Sequence, residues 1–157
     1  LLGIRNILLT NTRGTAVTNS TFDKYEPISP PINNMRNGVL IASETGTALT
    51  FGLNNAQGRG VTFIEPGTKV YEGMIIGQNS RKEDIEINVT KEKKQTNVRS
   101  ETSDIPITLT PALKMSLEQY LDFLADDELL EVTPQNLRLR KKYLKHVERV
   151  RHARETN

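Results

Sequence analysis

Between residues 39 and 89 the apolar residues come only in short runs, and glycines fall between the runs. That pattern favours strands joined by tight turns over long helices. Val39-Leu40-Ile41-Ala42 and Ala48-Leu49-Thr50-Phe51 flank Glu44-Thr45-Gly46-Thr47, a glycine-bearing connection that predicts a β-hairpin. Further strands are expected at 61–64, 70–71, 74–77 and 85–89, with Gly67, Gly73 and Gly77 as turns or bulges. Strand character returns at 107–109, at 129–132 and around 137–139, the last two separated by a Thr133-Pro134 turn. One segment has a strong helical period: Leu117, Tyr120, Leu121 and Leu124 recur at i, i+3, i+4 and i+7, with Ser116 as N-cap and Gln119 three positions on. The expected fold class is α+β, mainly β, with one clear helix at about 116–125.

The N-terminal part has a different character. Residues 1–10 read as the last turns of an amphipathic helix, Arg13-Gly14 as its end, and 15–22 as an alternating, β-branched strand. A helix and one strand cannot make a core alone, so 1–27 is expected to be a partial α/β element. The chain starts without methionine and reads as a fragment. Glu26-Pro27-Ile28-Ser29-Pro30-Pro31-Ile32-Asn33-Asn34 carries three prolines, which remove backbone donors and favour extended chain; 28–35 is read as a linker. The β-rich domain then covers 36–145 and a basic tail 146–157.

Several chemistries lack their residues. With no cysteine there is no disulfide framework, thiolate zinc site or cysteine nucleophile, which suits a reducing, cytoplasmic setting. No apolar run approaches the roughly 20 residues of a membrane span. No GxxxxGK[ST] loop occurs; Gly58-Arg59-Gly60 is too short. His146 and His152, the only histidines, have no companions at ligand spacing and are expected to be solvated. The carboxylates Glu118, Asp122, Asp126, Asp127, Glu128 and Glu131 read as a solvated acidic face, because apolar residues claim the inner side of the helix. No catalytic residue and no metal ligand is assigned.

Positive charge is the informative signal. Residues 91–105 hold no apolar residue but Val98 until Ile105, so they are expected to form a long exposed loop, and Lys91, Lys93, Lys94 and Arg99 face one acid between 91 and 99. Arg81 and Lys82 precede it. From 138 to the end there are eight basic and two acidic residues, led by Arg138, Arg140, Lys141, Lys142 and Lys145. Cations on an extended loop and near a terminus can reach phosphates, and with no aromatic residues among them they suit backbone and shape recognition over sequence readout.

Residues 36–142 resemble the C-terminal domain of the TypA/BipA family of ribosome-associated translational GTPases. The resemblance is carried by Arg36-Asn37-Gly38-Val39-Leu40-Ile41, Gln57-Gly58-Arg59-Gly60, Phe63-Ile64-Glu65-Pro66-Gly67, Val70-Tyr71-Glu72-Gly73-Met74-Ile75-Ile76-Gly77, Thr96-Asn97-Val98-Arg99 and Asp127-Glu128-Leu129-Leu130-Glu131-Val132-Thr133-Pro134. Residues 1–27 are similar to the end of the domain V shared with elongation factor G, through Thr12-Arg13-Gly14-Thr15 and Phe22-Asp23-Lys24-Tyr25-Glu26-Pro27. Lys24 stands where glycine is usual, and Gln95 and Val98 replace a leucine and a methionine around the Thr-Asn-x-Arg motif.

The resemblance implies a parent with GTPase, barrel and α/β domains upstream, where GTP and magnesium would bind; no cofactor is expected in this chain. It implies binding to the ribosome, touching ribosomal RNA and A-site tRNA through a finger similar to 90–105, which brings Asn97 into the expected RNA-binding set; separately, a monomer is expected. Large-subunit assembly and growth in the cold or under stress follow as expected roles. DNA and membranes are not expected partners. The rival reading is a protein-interaction domain that docks a partner through the acidic helix at 116–128.

Overall fold

The computed structural model describes residues 8, 11–13, 15–27, 36–92 and 107–156. Within them the fold is mixed α/β and mainly β. Eight strands and three helices follow one another: β1 (Val39–Ala42), β2 (Gly46–Thr47), α1 (Thr50–Gln57), β3 (Gly60–Thr62), β4 (Lys69–Val70), β5 (Met74–Asn79), β6 (Ile85–Ile87), α2 (Leu117–Phe123), β7 (Glu128–Val132), β8 (Leu137–Lys141) and α3 (His146–Thr156). Six strands form one sheet in the order β6-β1-β5-β8-β7, with β3 also on β5, while β2 and β4 pair separately.

The central strands β1 and β5 are buried on both faces, and strand alternation sorts their side chains. Leu40, Ala42, Met74 and Ile76 pack on one side with Leu53 and Ala56 of α1. Val39, Ile41, Ile75 and Leu139 pack on the other with Tyr120 and Phe123 of α2. A helix covering each face explains why β1 and β5 read as continuous apolar runs. A fully buried leucine such as Leu40 or Leu53 contributes about 1.5–3 kcal/mol relative to exposure, so these two layers carry much of the stability.

Helix α2 forms where its period and cap predict. Ser116 accepts from the Gln119 amide, and the Gln119 side chain accepts in turn from the Ser116 amide. Its inner face is narrower than the apolar spacing suggests: Tyr120, Phe123 and Leu124 pack, whereas Leu117 and Leu121 are exposed.

Four expectations are corrected. Residues 48–51 do not make the second strand of a hairpin: from Thr50 the chain is α1, because Gly52, Leu53 and Ala56 recur on one helical face and bury it. Gly52 lets that helix approach the Val89 backbone, where an added Cβ would lie 2.4 Å from the carbonyl oxygen. Residues 15–22 make no strand; with no strand beside them among the described residues they have no ladder to join, and Val17, Phe22 and Tyr25 lie exposed. Residues 107–109 are likewise unpaired as a strand. The basic tail is the helix α3, docked by side chains described below.

Candidate nucleic-acid interface

The basic residues divide by what they already hold. Arg81 and Lys82 are exposed on the short loop between β5 and β6. That loop is pinned: Arg81 O accepts from Gly38 N at 2.9 Å, Glu83 O from Asn79 Nδ2 at 2.6 Å, and Asp84 Oδ1 from Val39 N at 2.8 Å. The two cations therefore sit on a rigid mount, which lowers the entropy lost on binding a polyanion. Lys91 is exposed just after the buried Val89. Lys93, Lys94, Asn97 and Arg99 lie outside the described residues, as does most of the long loop expected at 91–105.

The stretch at 138–145 does not act as one patch. Lys141 is buried, its side chain only 3% exposed, with Nζ 2.6 Å from Asp84 Oδ2, 2.8 Å from Asp127 Oδ2 and 3.0 Å from Glu128 Oε1. Burial opposes its charge most strongly, but hydrogen bonds to Asp127 and Asp84 and the charge of Glu128 outweigh it, so the ammonium titrates above the usual lysine range. Glu128 is closed from solvent and also meets Arg36 Nη2 at 2.5 Å, and that guanidinium lies 4.4 Å above the Phe123 ring. Lys141 is thus a structural cation with no access to an external phosphate, a correction to its place among the RNA-binding residues.

Arg140 is engaged as well, its Nε 2.8 Å from Glu131 Oε1 and its Nη1 donating to the Lys141 carbonyl at 3.2 Å. Tyr71 Oη donates to Glu131 Oε2 at 2.7 Å. Burial, then that hydrogen bond and the carboxylate charge, raise the Tyr71 phenol well above its ordinary range. Glu128 and Glu131 are therefore members of ion pairs and not part of a solvated acidic face. Arg138, Lys142 and Lys145 make no side-chain hydrogen bond or ion pair among the described residues; Lys142 lies 5.8 Å from the Tyr143 ring, and Lys142 and Lys145 are exposed.

Helix α3 is held by Arg149, to which the sequence assigned no role, and by His146, expected to be solvated. Arg149 Nη2 pairs with Glu86 Oε1 on β6, and Arg149 Nη1 donates to the carbonyls of Tyr143 and Leu144. His146 Nδ1 lies 2.6 Å from the same Glu86 oxygen, so His146 is a contact of the fold and not simply a solvated side chain. The Tyr143 and His152 rings stand 4.7 Å apart. Burial works against the Glu86 charge, yet the Arg149 and His146 hydrogen bonds hold its carboxyl below the usual range. The spacing of His146 and Arg149 on one helical face was available in the sequence; their shared partner on β6 was not. Arg36 stood out only as the start of a family motif, and nothing local pointed to its pairing with Glu128.

Gly58-Arg59-Gly60 closes α1 at its C-terminal end, with the Gly58 amide donating to Asn54 O at 3.1 Å. A phosphate cradle needs glycines before a helix N-terminus, so the segment does not fit a nucleotide triphosphate.

The architecture defines a mainly β module with a helix on each face of its central strands, and with Arg81 and Lys82 exposed on a pinned loop. Residues 37–146 match the family described as TypA/BipA C-terminal domain, and the chain belongs to the TypA/BipA family. It is 46% identical over 155 residues to the "Large ribosomal subunit assembly factor BipA" of Bacillus subtilis, covering 98% of this chain and 25% of that protein. It is 50% identical over 150 residues to the protein of the same name from Buchnera aphidicola, covering 95% and 24%. For the one from Synechocystis the figures are 47% over 141 residues, 90% and 24%. The chain thus spans about a quarter of the length of these relatives.

Proposed function

We propose that this chain is the RNA-binding, ribosome-facing C-terminal region of a cytoplasmic TypA/BipA translational GTPase that supports large-subunit assembly and growth in the cold or under stress. The observation that carries the reading is a group of exposed cations with no side-chain hydrogen bond or ion pair among the described residues, Arg81, Lys82, Lys91, Lys142 and Lys145, on a frame whose buried Lys141 and half-buried Arg140 are already paired with carboxylates. Lys93, Lys94, Asn97 and Arg99 extend that set as the finger toward ribosomal RNA and A-site tRNA. GTP and magnesium belong to another part of the parent. The name shared by the relatives, an assembly factor of the large ribosomal subunit, supports this assignment.

The test is co-sedimentation of the full-length protein with ribosomes, with and without residues 90–105. Loss of binding on deletion, with the remaining protein folded, is the expected result; unchanged binding refutes the role of the loop.

One observation favours the second reading, docking of a protein through α2. Leu117 and Leu121 are 42% and 55% exposed beside Glu118 and Asp122 on that helix. Replacing both leucines by serine leaves ribosome binding intact under the RNA reading and abolishes it under the docking reading.

A further inference from the structure

Strands β3 and β8 share one edge of β5. Gly60, Val61 and Thr62 pair with Asn79, Gln78 and Gly77, while Arg140 and Leu139 pair with Met74 and Ile75. Beside them lies a cleft of about 180 Å³ bordered by Glu65, Thr68, Lys114, Tyr120, Asn136 and Arg138 over Met74. Drug-sized ligands need pockets of about 300 Å³ or more, so this one has room for a single small ring system.

Arg138 gives the cleft its chemistry. It lies opposite Glu131 in the β7–β8 ladder. That carboxylate is already occupied, one oxygen by Arg140 Nε at 2.8 Å and the other by Tyr71 Oη at 2.7 Å. Two arginines compete for one carboxylate, and Arg138 is left half-buried with no hydrogen bond or ion pair among the described residues. A partly desolvated guanidinium without an anion is unfavourable, and a phosphate offers its planar fork two oxygens for a bidentate pair. Lys114 adds a second cation at the rim; its 3.3 Å pair with Glu65 is largely exposed on both sides and therefore weak. The Asn136 and Thr68 side chains make no hydrogen bond among the described residues and can serve a polar ring edge.

We propose that the cleft beside β3 and β8 binds one nucleotide unit, with its phosphate on Arg138 and its base inside. The inference rests on the RNA-binding reading for the source of that nucleotide, a single-stranded RNA segment; a free mononucleotide offers the same chemistry. The experiment is amide chemical-shift titration of the 157-residue chain with uridine 5′-monophosphate, with a short oligouridylate and with inorganic phosphate alone. The expected result is saturable shifts at Ile64, Thr68, Leu137 and Arg138 with one or both nucleotides and much weaker ones with phosphate. Arg138→Gln should weaken that binding about tenfold or more, in line with loss of a charge-assisted hydrogen bond. If the glutamine variant does not fold, Arg138→Lys, which keeps the charge and loses the planar fork, should show a smaller loss.

Shifts with the oligonucleotide alone identify a strand as the source, and shifts with the mononucleotide alone identify a free ligand. Silence at these amides, equal response to bare phosphate, or unaltered affinity in the Arg138 variants overturns the proposal. Salt-dependent ribosome binding in that event leaves the wider RNA reading standing, whereas a filled cleft without any ribosome binding sinks the RNA reading and keeps the nucleotide site.

Discussion

Lys141 Nζ and Asp84 Oδ2 stand 2.6 Å apart, and through that contact the end of β8 is tied to the loop that carries Arg81 and Lys82. The other Asp84 oxygen accepts from Val39 N at 2.8 Å, so one carboxylate joins β8, β1 and the loop.

Removing the ammonium should therefore unsettle the fold and not merely the charge. Lys141→Ala is expected to cost roughly 3 kcal/mol, the low end for a broken buried pair, because Asp84 and Asp127 keep part of their water contact while Glu128 does not. Lys145→Ala, on an exposed residue, should stay within about 0.5 kcal/mol. Urea denaturation of the two variants measures the difference.

The same groups set two pH limits. Lys141 titrates higher in the folded chain than unfolded, so its contribution is complete below the ordinary lysine pKa of about 10.4 and is lost as pH rises through the folded value. Glu86 titrates lower when folded, so its contribution is complete above about 4.3 and is lost as pH falls through the folded value. Amide exchange in α3 should rise on acidification through that lower window, and Glu86→Gln should raise it at neutral pH and remove the acid step.

Gly73 combines φ of +85° with contact to the Leu144 carbonyl, where an added Cβ would lie 2.6 Å from the oxygen. Gly73→Ala is expected to cost more than about 1 kcal/mol, since strain and clash add. By contrast Gly67, also at +85° but with open space around it, should tolerate alanine with the strain alone. Paired thermal melts compare the two.

For RNA binding, each phosphate contact contributes about −0.9 for a duplex or −0.7 for a single strand to the slope of log affinity against log salt. Alanine at Lys91, Lys93, Lys94 and Arg99 together should flatten the slope for ribosome binding by roughly 3 to 4 and leave the melting temperature nearly unchanged. An unfolded quadruple variant would make the loop structural.

The purified chain should neither bind nor hydrolyse GTP, because its one glycine-rich segment follows a helix instead of opening one. Tight magnesium-dependent GTP binding, measured by calorimetry, would contradict this.

By itself the sequence determined what depends on neighbours along the chain. The capped helix at Ser116, the strands expected at 39–42, 74–77 and 129–132, which form at 39–42, 74–79 and 128–132, and the β-rich class all follow from local period, capping and turn residues. The six motifs at natural spacing marked the family without any coordinates. Tertiary structure decided what depends on partners distant in sequence. Residues 50–57 fold as α1 because a sheet face and the Val89 backbone await Gly52, Leu53 and Ala56, and four residues of β-like sequence cannot reveal that surface. The run Arg138, Arg140, Lys141 and Lys142 reads as uniform charge. Strand alternation and the placement of Glu131, Asp84, Asp127 and Glu128 turn it into one buried structural cation, one paired arginine, one half-buried arginine without a partner and one exposed lysine. Charge is written in the sequence, but whether it is free to meet a ligand is set by which carboxylates the fold brings within about 3 Å of it.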